Sequence, residues 1–466
     1  MPDDPSARRQ LTAAAAWAAD YLGTIRSHPV APQVPPGGIR SRLPAAPPAR
    51  PEPIEAILAD VDALLVPGIL HWNHPRFFGY FGITGSVPGV AGETVAAALN
   101  VNAMLWKTSP AATELEEVAT RWLSSLLGLP PWFATITDTA SSATFSALAA
   151  ARHRAAPEVR TAGLAATPPL AVYTSDQAHS SVDKAVIALG LGLDRLRRIP
   201  SDGAFRMDPR ALAEAMAADA AAGIRPMAVV ATVGTTAATA VDPVPAVADV
   251  CAAHGAWLHV DAAYGGAAGA VPELRWVLDG VDRADSVVVN PHKWLFVPVD
   301  CSVLYLREPD LMREALSVVP DYLRSDEDVR NLMDYGLALG RRFRALKLWM
   351  VLRSMGTEAV TAAIREHVRL AGLLASWVQE DPRFELACPV PLSVVNLRGA
   401  GPPDDATDAD ARLAEAVNAT GRAYVTTARL GGRTAVHAAI GNLGTTEADV
   451  RALWETIRRC SGAAGG

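Results

Sequence analysis

The stretch Trp257-Leu258-His259-Val260-Asp261-Ala262-Ala263-Tyr264-Gly265-Gly266 decides the fold. Its short apolar run, stopping on a carboxylate and a turn of small residues, has the form of a strand buried on both faces, as in a parallel sheet covered by helices. Similar runs stand at 170–174, 227–232, 286–289 and 302–306, with helical stretches between them. Alternation of this kind predicts a doubly wound α/β domain. In such a sheet ligands bind beyond the carboxyl ends of the strands, which is where Asp261 falls.

Working outward, residues 9–25 read as an amphipathic helix, and 29–53 are so proline-rich that an extended arm is expected. A second helical pattern from residue 54 is stopped by Pro67-Gly68 ahead of an aromatic run at 71–81. Past the sheet, 341–352 and 358–378 read as long helices. Segments 392–397, 408–418, 423–427, 435–440 and 447–459 read as strand, helix, strand, strand, helix, the pattern of a small α+β domain, with a frayed tail from Ser461. The expected division is an N-terminal arm over 1–86, a large domain over 87–345 and a small domain over 346–466. A chain of 466 residues is long enough for more than one core.

The net charge of -7 and the lack of a long basic run disfavour nucleic acid and membrane surfaces as partners. The four cysteines are far apart with no Cys-x-x-Cys pair, and the histidines lack zinc spacing, so reduced thiols and no metal are expected. Arg8-Arg9 precede an Ala-rich stretch interrupted by Asp20, unlike a signal segment, and a cytoplasmic location is expected. Only four lysines occur, Lys107, Lys184, Lys293 and Lys347, so any chemistry that needs an amine has four candidates.

One of them, in Asn290-Pro291-His292-Lys293-Trp294, follows an apolar strand as Asp261 does, so both would face one crevice. A lysine for a Schiff base and an acid for a pyridine nitrogen are what pyridoxal phosphate requires. Thr139-Ala140-Ser141-Ser142-Ala143-Thr144, opening a helix, can offer amides and hydroxyls to a phosphate. Thr236, after the strand at 227–232, adds a hydroxyl, and His179, after the strand at 170–174, puts an imidazole where it could stack on a planar cofactor.

With these segments together, the chain resembles the group II pyridoxal-phosphate-dependent amino acid decarboxylases, and within them the aromatic L-amino-acid decarboxylases, nearly end to end. The resemblance rests also on His71-Trp72-Asn73-His74-Pro75-Arg76-Phe77-Phe78-Gly79-Tyr80-Phe81, Ser175 to Ser181 and Leu339-Gly340-Arg341-Arg342-Phe343-Arg344. It implies the type I fold for this cofactor and a homodimer with shared active sites. It implies Lys293 as the Schiff-base residue, Asp261 at the pyridine nitrogen with Thr236 beside it, His179 stacked on the ring and Ala263 beneath it. Thr139, Ala140, Ser141, Asn290 and His292 would surround the phosphate. Trp72, Tyr80, Phe81 and, from the neighbouring subunit, Met104 would shape the pocket for an amino acid side chain, and the reaction would be loss of the α-carboxylate.

The chain departs from the family pattern where a loop tyrosine is commonly assigned to reprotonate Cα: Leu332 stands there, and leucine has no proton to give. Amine and aldehyde therefore both stay open as products, with Tyr335, three residues on, a substitute acid. Asp138, Ser142, Gly82, Ile83 and His437 also differ from the usual residues. An acidic amino acid as substrate would need a cation, with Arg76 the nearest in sequence, and a cofactor-binding homologue with little catalysis is a further reading.

Overall fold

The computed structural model describes residues 5–32, 34–318, 329–401 and 403–463. Seven strands form the large sheet: β1 (Phe133–Thr137), β2 (Leu170–Ser175), β3 (Leu196–Ile199), β4 (Arg225–Thr232), β5 (Trp257–Asp261), β6 (Ser286–Val289) and β7 (Ser302–Leu306). Their order is β1-β7-β6-β5-β4-β2-β3. Strands β2 to β6 are parallel, while β7 runs antiparallel to both β6 and β1. Two reversals restore the direction, so β1 ends on the same edge as β2, β4, β5 and β6. The central strands are buried along nearly their whole length, as expected of a sheet covered on both faces.

The small domain is a four-stranded antiparallel sheet, β8 (Phe384–Leu386), β9 (Val394–Gly399), β10 (Thr426–Leu430) and β11 (Arg433–Ala439), in the order β10-β11-β9-β8. Helices Pro403–Ala419 and Glu447–Ala463 and the end of Arg344–Glu380 pack around it. The two long helices expected from the sequence are present within Arg344–Glu380 and meet at a kink at Gly356, whose φ of 70° is left-handed. The last helix continues past Ser461, whose hydroxyl donates back to Arg458 O, and residues 464–466 lie outside the described residues.

The first helix runs Pro5–Gly23 and packs on Ile54–Asp60. The proline-rich arm between them is largely without regular structure, except for a 3-10 turn at Arg40–Arg42 that follows the left-handed Gly37. The aromatic run is sewn onto the small domain: Phe78 N donates to Tyr424 O (2.8 Å) and Ala439 N to Phe78 O (2.8 Å). Arg26 and Arg76 meet on the buried Asp449 at 2.9 Å each. Burial alone would raise that carboxyl, but the two arginines outweigh it and hold it well below the usual carboxylate range.

The Leu339 to Arg344 segment is a structural clamp. The Arg341 guanidinium donates to Glu116 (2.7 Å), Thr135 Oγ1 (3.0 Å) and Ile136 O (2.8 Å), pinning β1, and Arg344 donates to Asp300 (2.8 Å). Among the described residues no helix is long and apolar enough to cross a membrane.

Candidate active site

Five of the strands that end on the common edge, β1, β2, β4, β5 and β6, deliver residues to one cavity of about 180 Å³. From β1 come Thr139, Ala140 and Ser141, from β2 His179, and from β4 Thr232, Gly234 and Thr236. From β5 come Asp261, Ala263 and Tyr264, from β6 Asn290, His292 and Lys293, and Phe81 closes one side. Two glycines make this convergence possible. Gly234 has φ 87°, and a Cβ there would lie 2.9 Å from Gly265 N, while a Cβ on Gly265 would lie 2.5 Å from Val233 O.

Of the four lysines, Lys107 and Lys184 are exposed and Lys347 is buried against Glu93, which leaves Lys293 in the crevice. Its Nζ sits 4.9 Å from the centroid of the Phe81 ring. Loss of water around it lowers its pKa, and the Asp261 carboxylate opposes that only in part. The amine is thus closer to its nucleophilic, uncharged form than a surface lysine would be. Asp261 is buried, accepts from Ala263 N at 3.1 Å, and lies opposite Thr232 in the pairing of β5 with β4. The Thr232 hydroxyl is buried with no hydrogen-bond partner among the described residues, a donor waiting beside that carboxylate.

At one end of the cavity the hydrogen bonds fix where the protons lie. His292 Nδ1 accepts from Cys301 N at 2.9 Å, so in the neutral ring Nε2 carries the proton. Asn290 Oδ1 accepts from Ser302 Oγ, which leaves its amide N–H groups as donors. The two nitrogens lie 3.4 Å apart, cannot satisfy each other, and both border the cavity. Across from them the helix Ala140–Ala155 begins, capped by Thr139, and its first-turn amides have no acceptor within the helix. Donors converging without an acceptor fit an anion. His179 is fixed by Ser181 N, which donates to its Nδ1 at 3.1 Å, and burial lowers its pKa, so a neutral imidazole faces the cavity.

An aromatic column backs the lysine, running from the pocket residue Phe81 to Tyr264 and Trp294, to which sequence reasoning gave no role. Phe81 stacks on Tyr264 at 3.9 Å, Tyr264 on Trp294 at 4.8 Å, and Trp294 Nε1 donates to His367 Nδ1 at 3.0 Å. Tyr264 stands within the stretch quoted first, so an aromatic side chain three residues past Asp261 was the available signal. The other pocket residues lie elsewhere. Trp72 and Tyr80 stack on each other at 5.6 Å outside the cavity, with Tyr80 51% exposed. Leu332 and Tyr335 line a neighbouring cavity of about 410 Å³ that shares Ser141 with the first, and Tyr335 lies against Phe133 at 4.3 Å. Met104 is tied to the same segment through Met333 N, which donates to Met104 O at 3.0 Å. Arg76 is spent on Asp449 and leaves no free cation for a distal carboxylate at that position.

Burial holds His74, His259, His292 and His367 neutral, with pKa values lowered to about 4. An unfolded chain takes up these protons near pH 6.5, so the folded state loses stability as pH falls from 6.5 towards 4, by about 1–2 kcal/mol per histidine at pH 5. The urea midpoint is expected to be clearly lower at pH 5 than at pH 7.5. An equal or higher midpoint at pH 5 would refute this.

Residues 36–398 match the pyridoxal-dependent decarboxylase conserved domain, and the chain belongs to that family of cofactor-dependent carboxy-lyases. It is 40% identical to tryptophan decarboxylase 1 of Oryza sativa subsp. japonica, over 97% of this chain and 93% of that protein. It is 39% identical to phenylacetaldehyde synthase of Arabidopsis thaliana, over 94% and 92%. A crystal structure of Oryza sativa TDC with PLP and tryptamine superposes with a TM-score of 0.96 at 39% identity, covering 99% of each chain.

Proposed function

We propose that this enzyme removes the α-carboxylate of aromatic L-amino acids, among tryptophan, tyrosine, phenylalanine and DOPA, and releases the amine and carbon dioxide. The observation that carries the reading is the wall beside Lys293: Phe81 stacked on Tyr264 under the amine offers a flat, apolar surface. The commitment of Arg76 to Asp449 argues against an acidic substrate. The rice relative is named for decarboxylation of an aromatic amino acid, while the Arabidopsis relative, a phenylacetaldehyde synthase, is named for an aromatic aldehyde product.

Bound pyridoxal phosphate supplies the electron sink for the pair left on Cα when carbon dioxide departs. Lys293 is the residue that would hold the cofactor covalently. Asp261 would favour a protonated pyridine nitrogen, because an adjacent anion stabilises the charged form, with Thr232 and Thr236 in the same cavity lining. His179 would cover one face of a bound cofactor ring and Ala263 the other. Asn290, His292, Thr139, Ala140 and Ser141 would bind its phosphate through their unpaired N–H groups and hydroxyls. The working unit in this reading is a cytoplasmic homodimer in which the Met104 to Tyr335 face of one chain closes the crevice of the other. Exposed apolar side chains on the helix Val87–Leu99 support such an interface, with Val87 68%, Val95 43% and Leu99 54% exposed.

Aldehyde formation is the second reading, and Leu332 is the observation in its favour. Tyr335 is the alternative proton source, and burial raises its pKa, so the phenol keeps a proton to give at neutral pH. Cofactor-loaded enzyme incubated with the four aromatic amino acids, glutamate and aspartate is expected to yield amine matching carbon dioxide from aromatic substrates alone. Aldehyde with peroxide would replace the first reading by the second, and turnover of glutamate would refute the substrate class. Tyr335→Phe is expected to lower amine formation by about 10²-fold or more. Undiminished amine would dismiss Tyr335 as the acid.

A further inference from the structure

Tyr80 has φ 52°, in the left-handed region that a residue with a side chain occupies only when its surroundings hold it there. Both of its backbone groups are held. Its N–H donates to Thr426 Oγ1 at 3.1 Å, and His437 Nε2 donates to its carbonyl at 3.1 Å. Thr426 and His437 face each other across β10 and β11, so a single cross-strand pair grips the peptide groups on either side of one Cα. The neutral His437 ring has one proton to give, which goes to the Tyr80 carbonyl; its other side packs against Asn396 of β9, whose Nδ2 donates to Ala237 O at 2.8 Å, next to Thr236 of the site.

The consequence lies in the side chains on either side of the bend. The Tyr80 ring stacks on Trp72 at 5.6 Å, while the next ring, Phe81, turns inward onto Tyr264 and under Lys293. With Tyr80 in an ordinary extended conformation, Phe81 could not keep this direction, because a change of φ at residue 80 swings everything that follows.

We propose that the Thr426–His437 pair is a positioning device for substrate selection: by fixing Tyr80 left-handed it aims Phe81 and Tyr80 and so sets affinity for flat side chains, without touching the reacting atoms. The inference rests on the aromatic-substrate reading above. Thr426→Val, which keeps the shape and loses the hydroxyl, and His437→Phe, which keeps a ring and loses both nitrogens, are each expected to raise KM for aromatic amino acids about 5- to 10-fold, with kcat within about 2-fold. Thr426→Ser restores the wild-type KM. In a Tyr80→Gly background, where glycine takes the left-handed conformation unaided, neither substitution raises KM further. A readout independent of substrate is fluorine NMR of cofactor-loaded enzyme labelled with 3-fluorotyrosine, with the Tyr80 resonance assigned by its loss in Tyr80→Phe. That resonance is expected to move in Thr426→Val and His437→Phe and to return in Thr426→Ser.

An unmoved resonance overturns the inference, and so does a moved resonance with unchanged KM. If the wild-type enzyme turns over no aromatic amino acid, the functional reading fails on its own. The fluorine resonance then still decides whether the pair holds Tyr80.

Discussion

Lys293→Ala is expected to reduce turnover by more than about 10³-fold and to leave the cofactor without a covalent link. The three other lysines cannot substitute, since two are exposed outside the crevice and Lys347 is buried against Glu93. Borohydride treatment followed by mass spectrometry separates attachment from general damage. Wild-type protein should carry the reduced cofactor on the peptide containing Lys293, and Lys293→Ala should carry none on any peptide. Cofactor mass on the variant would place the attachment elsewhere and undo the assignment of the site. The donors of Asn290, His292 and the helix start, proposed to bind the phosphate, are unchanged in the variant, so weak, reversible cofactor binding should survive in equilibrium dialysis.

Asp261→Ala is expected to have the next largest effect, a fall in kcat on the order of 10²- to 10⁴-fold with the cofactor still covalently held. Without the carboxylate nothing in the cavity favours a protonated pyridine nitrogen, and the ring loses capacity as an electron sink. A cofactor analogue methylated on the pyridine nitrogen carries that charge permanently. It should recover part of the activity in Asp261→Ala and none in Lys293→Ala. Failure to rescue, with the analogue shown to be bound, would assign Asp261 a purely structural part.

The central strands were legible because burial on both faces leaves an unbroken apolar run, as in the run that ends on Asp261. Strand β3 was not, since its Leu-Arg-Arg-Ile sequence lies at the sheet edge, where Arg197 pairs with Asp219 and Arg198 with Asp183. The three residues of β8 are too few for a periodicity. Strand direction is also silent in composition, although the segment between β6 and β7 holds only the four-residue helix Pro291–Trp294, too little for the usual crossover between parallel neighbours. At the site, residues that follow strands could be read from sequence, because topology alone sends them to one edge. The grip on Tyr80 could not: Thr426 and His437 are ordinary strand residues until the small sheet places them beside a segment some 350 positions earlier.

That separation also sets an order of assembly. Tyr80 and His437 lie 357 residues apart, and at roughly 5–20 residues per second a ribosome needs about 20–70 s to travel between them. The cofactor cup, built from residues 139 to 293, emerges whole well before the strands that receive the aromatic run. The residues that line the cup are therefore all synthesised before β10 and β11, so the bend at Tyr80 that aims Phe81 is fixed only after the rest of the crevice has been made.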